Sequence, residues 1–571
     1  MLDLRPMQVT GSFSLFLVIC ISIFKNVSGG IVINDEADKY SEYFKYQAQA
    51  DISEDDPNYW QRVGLNELKY KLNKPLIKGE AKNVILFMGD GMSLTTITSS
   101  RIYKGQSKDR LKTEARGEQA HLAFENFPFT GLAKTYCVDQ QTADSACSAT
   151  AYLTGVKTNL GTIGVSSKIT RKNCEGMKNP EYFTTSILKW AQDFGKLTGI
   201  ITTTRVTHAS PAGTYAHTTE RDWECDADIK KDPNRLGQGC KDIATQLVKD
   251  EPGRRIRVIF GGGRSKFLPE SSKDDEGYPG QRTDGVDLIK EWLLDKTNKT
   301  RKAKYIHTRG QLMDLDPNNT DYVLGLFSSD NFNYNLEKPD TQPTLAEMTR
   351  AAINILSQEK KGYFLFIEGG LIDIAHHNNT AAFALDETVE MSKAVEVAVN
   401  MTREKDTLIV VTADHAHTMT MSGYSRRNHN ILGNSDQKDQ NGQSYPTLSY
   451  ANGPGARAPV INESTGQCQL TNPTTEEEFG NATFHYPALV PLVDETHGGD
   501  DVMVFARGPW SHLFTGSYEQ NFIPIAMGFA SRVGPNSKAA TESSGWSMHQ
   551  QSVPVITLTV MISVMYNSWL N

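Results

Sequence analysis

Cysteine is scarce. The 571-residue chain has seven, and Cys20 lies in an N-terminal apolar run. The other six, Cys137, Cys147, Cys174, Cys225, Cys240 and Cys468, are too few for a disulfide scaffold, and no CxxC pair offers a thiolate metal site. Long basic runs are missing too. With 59 Lys and Arg against 67 Asp and Glu, the formal net charge is -8 and the signs are mixed, which leaves nucleic-acid binding without support. An acidic surplus does not attract phosphate, so any phosphate site here must bring positive charge from metals or arginine. No internal repeat is visible. At 38% hydrophobic content the chain can still bury a large core.

Both ends read as targeting segments. Phe13–Phe24 is almost wholly apolar and is followed by Lys25 and the small residues Ser28, Gly29 and Gly30. That pattern predicts a signal peptide over residues 1–28. At the other end Ser543, Ser544 and Gly545 precede a short polar stretch and the apolar Val553–Leu570, with nothing basic after it. This predicts a GPI-attachment propeptide over 546–571, with Ser543 as the attachment residue and 29–545 as the mature catalytic domain. A retained transmembrane helix is the alternative. Exposure at the extracellular face of the membrane fits six glycosylation sequons, at Asn298, Asn318, Asn378, Asn400, Asn462 and Asn481.

Between the ends, short β-branched apolar runs alternate with helical stretches. Asn83–Met88, Leu197–Thr204, Ile256–Phe260, Tyr322–Phe327, Tyr363–Ile367 and Thr407–Thr412 suit strands buried on both faces. Thr344–Lys360 and Ala381–Thr402 are helical candidates. The alternation predicts an α/β fold, a large mostly parallel central sheet with helices on both faces. From Gly423 to Thr496 the texture turns to Gly, Asn, Pro, Ser and Gln, as in a surface insertion.

Chemistry collects just beyond four of these runs. Asp90 follows the first; His208 and Ser210 follow the second. Glu368, Asp373, His376 and His377 follow the fifth, and Asp414, His415 and His417 follow the sixth. The carboxyl edge of an open α/β sheet is where ligands bind. So many carboxylates gathered together need cations, and the mixture of His and Asp suits zinc beside an all-oxygen magnesium site. Ser145 opens a run of small residues, Asp144–Leu153. In isolation it is as readily a helix cap, but a helix N-terminus also favours bound phosphate. No GxSxG surrounds it, so a metal rather than a His base would activate it.

With these residues in hand, the chain closely resembles the GPI-anchored animal alkaline phosphatases. The matching segments are MGDGM (88–92), DSACSATAYLTG (144–155), TTTRVTHASPAGTYAHTTER (202–221), GYFLFIEGGLIDIAHH (362–377), VTADHAH (411–417) and DETHGGDDVMVFARGP (494–509). The resemblance implies two zinc sites, one of Asp373, His377 and His497 and one of Asp90, Asp414, His415 and Ser145. It implies magnesium on Asp90, Ser210 and Glu368, with His208 and His417 supporting the metal sites from outside their ligand sets. Arg221 would grip phosphate as a bidentate fork. Ser145 would attack phosphorus in line and be left as a phosphoserine that water hydrolyses. Broad action on small phosphate monoesters, an alkaline optimum, a homodimer and a crown formed by 423–496 are implied as well, as is a Cys174–Cys240 disulfide.

The chain also departs from the family. At the mammalian calcium site the positions look like Phe327, Glu276, Ser328 and Gln342, which leaves at most one carboxylate and predicts a degenerate site. Ile374 stands where mammalian relatives have a histidine. Cys147, so close to Ser145, is expected to be a buried free thiol, and the pairing of Cys137, Cys225 and Cys468 stays open. Two competing readings are weaker. A sulfatase or phosphodiesterase lacks support because no Cys/Ser-x-Pro-x-Arg signature surrounds Ser145 and Arg221 favours a monoester. A surface glycoprotein receptor with catalysis lost would be missing ligands, and here every position is filled.

Overall fold

A computed structural model describes residues 54–535, apart from 107–116, 298–301, 458, 462, 465, 467 and 471–477. The signal segment, Ser543, the C-terminal propeptide, Asn298 and Asn462 lie outside the described residues. Two units are distinguished, divided after Lys74. In the first, helix α1 (Pro57–Leu72) is capped by Asp56, whose side chain accepts from the Asn58 amide, and it buries none of its residues.

In the second unit ten strands form one sheet. They are β1 (Asn83–Gly89), β2 (Phe129–Lys134), β3 (Leu197–Arg205), β4 (Val258–Gly262), β5 (Ala303–Ile306), β6 (Tyr322–Leu326), β7 (Tyr363–Gly369), β8 (Thr407–Ala413), β9 (Val502–Arg507) and β10 (Gly516–Glu519), in the spatial order β10-β2-β9-β8-β1-β7-β3-β4-β6-β5. Only β9 runs antiparallel to its neighbours, β8 and β2. Every residue of β7 and β8 is buried. Successive side chains point to opposite faces, so both faces of these strands are covered, as the apolar runs Tyr363–Ile367 and Leu408–Val411 require.

Four helices matter for the site. α2 (Ser145–Thr154) starts at Asp144, whose side chain caps the Cys147 amide, and stops at Gly155 with φ 81°. All ten of its residues are buried, which their small size permits. α3 (Leu345–Leu356) begins with a Thr344/Glu347 capping box. α4 (Leu371–His377) follows β7 directly, and α5 (Ala381–Met401) follows α4. The 423–496 insertion forms short strands with a small core of its own, in which Leu448, Tyr450, Tyr486 and Ile431 pack with Ala381 and Leu385 of α5. Among the described residues no helix is long and apolar enough to cross a membrane.

Candidate active site

Register places the ligand types side by side. Met88 of β1 pairs with Glu368 of β7 and with Thr412 of β8, so Asp90 and Asp414 leave neighbouring strand ends together. Thr202 of β3 pairs with Glu368, which brings His208 and Ser210 to the same edge. The turn after β1 needs glycine: Gly91 has φ 66°, and a Cβ there would lie 2.3 Å from the His417 ring.

Ser145 Oγ, at the first position of α2, lies 3.4 Å from Asp90 Oδ1 and 3.2 Å from His415 Nε2. His415 Nε2 is also 3.2 Å from Asp414 Oδ2. A second group gathers around Asp373 Oδ1, with the Nε2 atoms of His417 at 2.7 Å and of His377 and His497 at 3.4 Å. Each histidine is oriented from behind. Nδ1–H of His377 donates to the Glu495 carbonyl, that of His497 to Ala143, that of His415 to Ala416 and that of His417 to Glu495 Oε2. The carbonyl acceptors behind His377, His415 and His497 fix the proton on Nδ1 and leave Nε2 as a lone pair facing the cluster, the arrangement of metal-ligating imidazoles, whereas His417 sits between two carboxylates that favour its protonated form. The third group is Asp90, His208 and Glu368, whose ligand atoms lie within 4.8 Å of one another.

The charge balance is incomplete without cations. Asp90 Oδ2, Ser210 Oγ, Glu368 Oε1, Asp414 Oδ2 and His208 Nδ1 are buried and have no hydrogen-bond partner. Buried polar groups in native structures are nearly always satisfied, so orphans converging from four strand ends fit bound metal ions. Protonation responds in the same sense. Burial, then repulsion by Asp373 and Asp414, pushes the Asp90 carboxyl well up, and burial lifts Glu368 to about 7 although Thr202 and Thr204 donate to it. Asp373 moves the other way: against its burial, the surrounding histidines hold it well below the carboxylate range. Across from Ser145, Arg221 Nη1 donates to Asp144 Oδ2 at 3.1 Å and Nη2 to His208 Nε2 at 3.2 Å. Burial, then the two arginines Arg221 and Arg205, lowers His208 to about 3, so it accepts as a neutral ring.

The family profile described as alkaline phosphatase matches residues 81–533. The chain belongs to the alkaline phosphatase family. It is 47% identical over 458 residues to the membrane-bound alkaline phosphatase of Bombyx mori, covering 80% of this chain and 81% of that protein. Against the tissue-nonspecific alkaline phosphatase isozyme of Homo sapiens it is 42% identical, covering 85% and 90%. Among solved structures, the alkaline phosphatases of the Antarctic bacterium TAB5 (21% identity, TM-score 0.52, 80% of this chain and 100% of that one) and of Thermus thermophilus (20%, 0.55, 81% and 93%) share the fold. An alkaline phosphatase-like α/β sheet and phosphate-monoester hydrolysis are thereby established for the chain.

Within this alkaline phosphatase frame the structure gathers Asp90, Ser145, Ser210, Glu368, Asp373, His377, Asp414, His415 and His497 at one edge, with Arg221, His208 and His417 around them. His376 turns aside to Thr96 and Tyr450. Cys174 and Cys240 are bonded. One expectation is overturned: Cys147 is not a free thiol but is bonded to Cys137, and the buried free cysteine among the described side chains is Cys225. The bridge joins Cys147, in the first turn of α2, to Cys137 ahead of it, which nearness to Ser145 in sequence does not reveal. Sequence reasoning also passed over Asp144, Glu495, Thr202 and Thr204, although all four stand inside the matched segments. Among the positions compared with the mammalian calcium site, Gln342 Oε1 accepts from the Asn333 amide, Ser328 Oγ donates to the Asn331 carbonyl, and Glu276 lies 3.6 Å from the Arg264 guanidinium, itself paired with Asp274 at 2.8 Å. Asn318, Asn400 and Asn481 are exposed, whereas the Asn378 amide donates to the Ile374 carbonyl.

Proposed function

We propose that this phosphatase works through Ser145 as a phosphate-accepting nucleophile. The observation that carries the reading is the placement of Ser145 Oγ, at a helix N-terminus and within 3.4 Å of both Asp90 and His415, amid orphaned carboxylate oxygens. Asp373, His377 and His497 would hold one zinc; Asp90, Asp414 and His415, with Ser145, a second; and Asp90, Ser210 and Glu368 a magnesium. Such ions supply a lowered pKa for the attacking oxygens and neutralise charge developing on the transferred group. The chain's own groups do the rest. Ser145 Oγ forms a bond to phosphorus as the ester oxygen leaves opposite to it, which gives a phosphoserine; water then displaces Ser145, and two inversions give net retention. Arg221, held by Asp144 and His208, presents a planar fork to two phosphate oxygens. Neutral His208 can accept from Arg221 without repelling it.

Ser145→Ala tests this. Labelled phosphate trapped on the wild type at acid quench should be missing from the variant, and label at wild-type levels on the variant would refute the assignment. The carboxylate-poor set of Phe327, Glu276, Ser328 and Gln342 is read as a degenerate calcium site, and calcium bound there at micromolar concentration would count against that reading. The chain acts on small phosphate monoesters broadly, at alkaline pH, as a homodimer. It is held by a GPI anchor on the outer face of the cell membrane, a reading supported by the membrane-bound Bombyx mori relative. Release by a phosphatidylinositol-specific phospholipase, and a dimer by light scattering, are the expected outcomes.

A further inference from the structure

Cys137 and Cys147 are ten residues apart, against 66 for Cys174 and Cys240. A short closed loop restrains the unfolded chain less than a long one, so global stability is not where this bridge does most. What it ties down is local. Between its ends Val138–Gln141 is exposed, and it leads directly into Ala143 and Asp144, which are buried. The Ala143 carbonyl accepts Nδ1–H of His497 at 2.8 Å. Asp144 Oδ2 accepts from Arg221, and its Oδ1 accepts from the amides of Cys147 and Gly161 at 3.1 Å each. Cys137 Sγ lies 4.0 Å from the same Oδ1. One residue thus closes the loop covalently and, through its amide, caps the carboxylate that holds the phosphate arginine.

We propose that the Cys137–Cys147 bridge is a positioning device, which sets Asp144 for Arg221 and Ala143 for His497. Without it the loop can shift about its exposed stretch, and both partners lose their backing together. The same guanidinium meets substrate phosphate and product phosphate, so binding of both weakens while the chemical step is spared in proportion. This inference rests on the roles proposed for Arg221 and His497.

The test is a Cys137→Ser/Cys147→Ser enzyme, with Cys137→Ala/Cys147→Ala as a second form, assayed as metal-loaded protein. KM for p-nitrophenyl phosphate and the inhibition constant of inorganic phosphate should both rise about tenfold, and zinc extraction by a chelator should quicken about as much. kcat should change by less than about threefold. Unchanged phosphate inhibition and zinc extraction in a folded variant overturn the proposal, as does a loss confined to kcat. Should neither variant be recovered folded, the purified enzyme is treated with a phosphine reductant in a Cys174→Ser/Cys240→Ser background and opening of the remaining bridge is followed by thiol alkylation. Phosphate inhibition must then weaken as Cys137 and Cys147 become alkylated, and constant inhibition overturns the proposal. Arg221→Ala separates the two layers: if phosphate inhibits that variant as before, the clamp reading itself fails, whatever the bridge does.

Discussion

At His417 two carboxylates share one imidazole. Nε2 lies 2.7 Å from Asp373 Oδ1 and Nδ1 lies 2.5 Å from Glu495 Oε2. Burial alone would lower its pKa, but Asp373 and Glu495 outweigh burial and raise it to about 9. Glu495 is fixed in turn by the amide and hydroxyl of Thr418. The chain Thr418–Glu495–His417–Asp373 therefore sets where Asp373 points and how much negative charge it offers a cation. Glu495→Gln keeps the shape and removes the charge, so zinc affinity should fall by roughly tenfold to a hundredfold. Competition with a colorimetric zinc chelator measures this, and an unchanged affinity would show that His417 orients Asp373 without Glu495. Sequence made Asp90, Ser210, Glu368, Asp373, His377, Asp414 and His415 legible because they follow apolar runs, whereas His497 follows none and came only through the family resemblance. It left Glu495 and Asp144 unassigned, since their partners His417 and Arg221 stand 78 and 77 residues away and only the fold closes that distance.

Among the strands, those at the centre of the sheet are the readable ones. β1, β7 and β8 are mostly apolar, apart from Asn83, Glu368 and the two threonines of β8, because both faces are covered. β2 and β5 escaped notice since they are only partly buried, β2 in an alternating pattern and β5 at the sheet edge. β9 and β10 are not among the predicted runs either, and the reversed direction of β9 leaves no mark in composition. α5 was legible as a helix, but not the charge it buries. Glu387 lies within it, and its Oε1 accepts from the Asn335 amide at 2.7 Å. Burial, aided by Asp386 and Glu390, lifts its pKa from 4.5 to about 8. The folded state then keeps a proton that the unfolded chain releases, so stability falls as pH rises from about 4.5 to 8 and the penalty is complete above that. Glu387→Gln retains the acceptor without the ionisation. Its melting midpoint should match the wild type in acid and exceed it by about 2 °C or more on the alkaline side. Calorimetry across the window would show the gap opening with pH; a constant gap would mean that a packing change, not a proton, separates the two.

For the whole molecule, the carboxylates of the site sit on the strands that hold the sheet together. Asp90, Glu368 and Asp414 leave β1, β7 and β8, three adjacent strands at its middle, so whatever loads the site loads the fold. Stripped of cations, burial and mutual repulsion raise all three, Glu368 to about 7. The metal-free fold then holds protons that the unfolded chain gives up at ordinary carboxylate values, and it loses stability as pH climbs from about 4.5 towards 7. Each retained proton contributes a slope of about 1.4 kcal/mol per pH unit. Asp373 contributes oppositely, but its lowered pKa confines that to more acid conditions; the histidines that burial keeps neutral, His208, His376, His377 and His415, also oppose the loss up to about pH 6.5, and do so in both forms. Cations bound in place of those protons keep the carboxylates ionised, so the loaded enzyme lacks this part of the slope and binding adds stability by mass action. Because Glu387 tilts both forms alike, the comparison belongs in the Glu387→Gln background. There the melting midpoint of chelator-treated protein should fall further below that of protein reloaded with zinc and magnesium as pH rises between those limits, the two diverging towards neutral. Parallel curves would mean that the buried carboxylates are neutralised by something other than metal, and the ligand sets assigned to Asp90, Glu368 and Asp414 would have to be withdrawn.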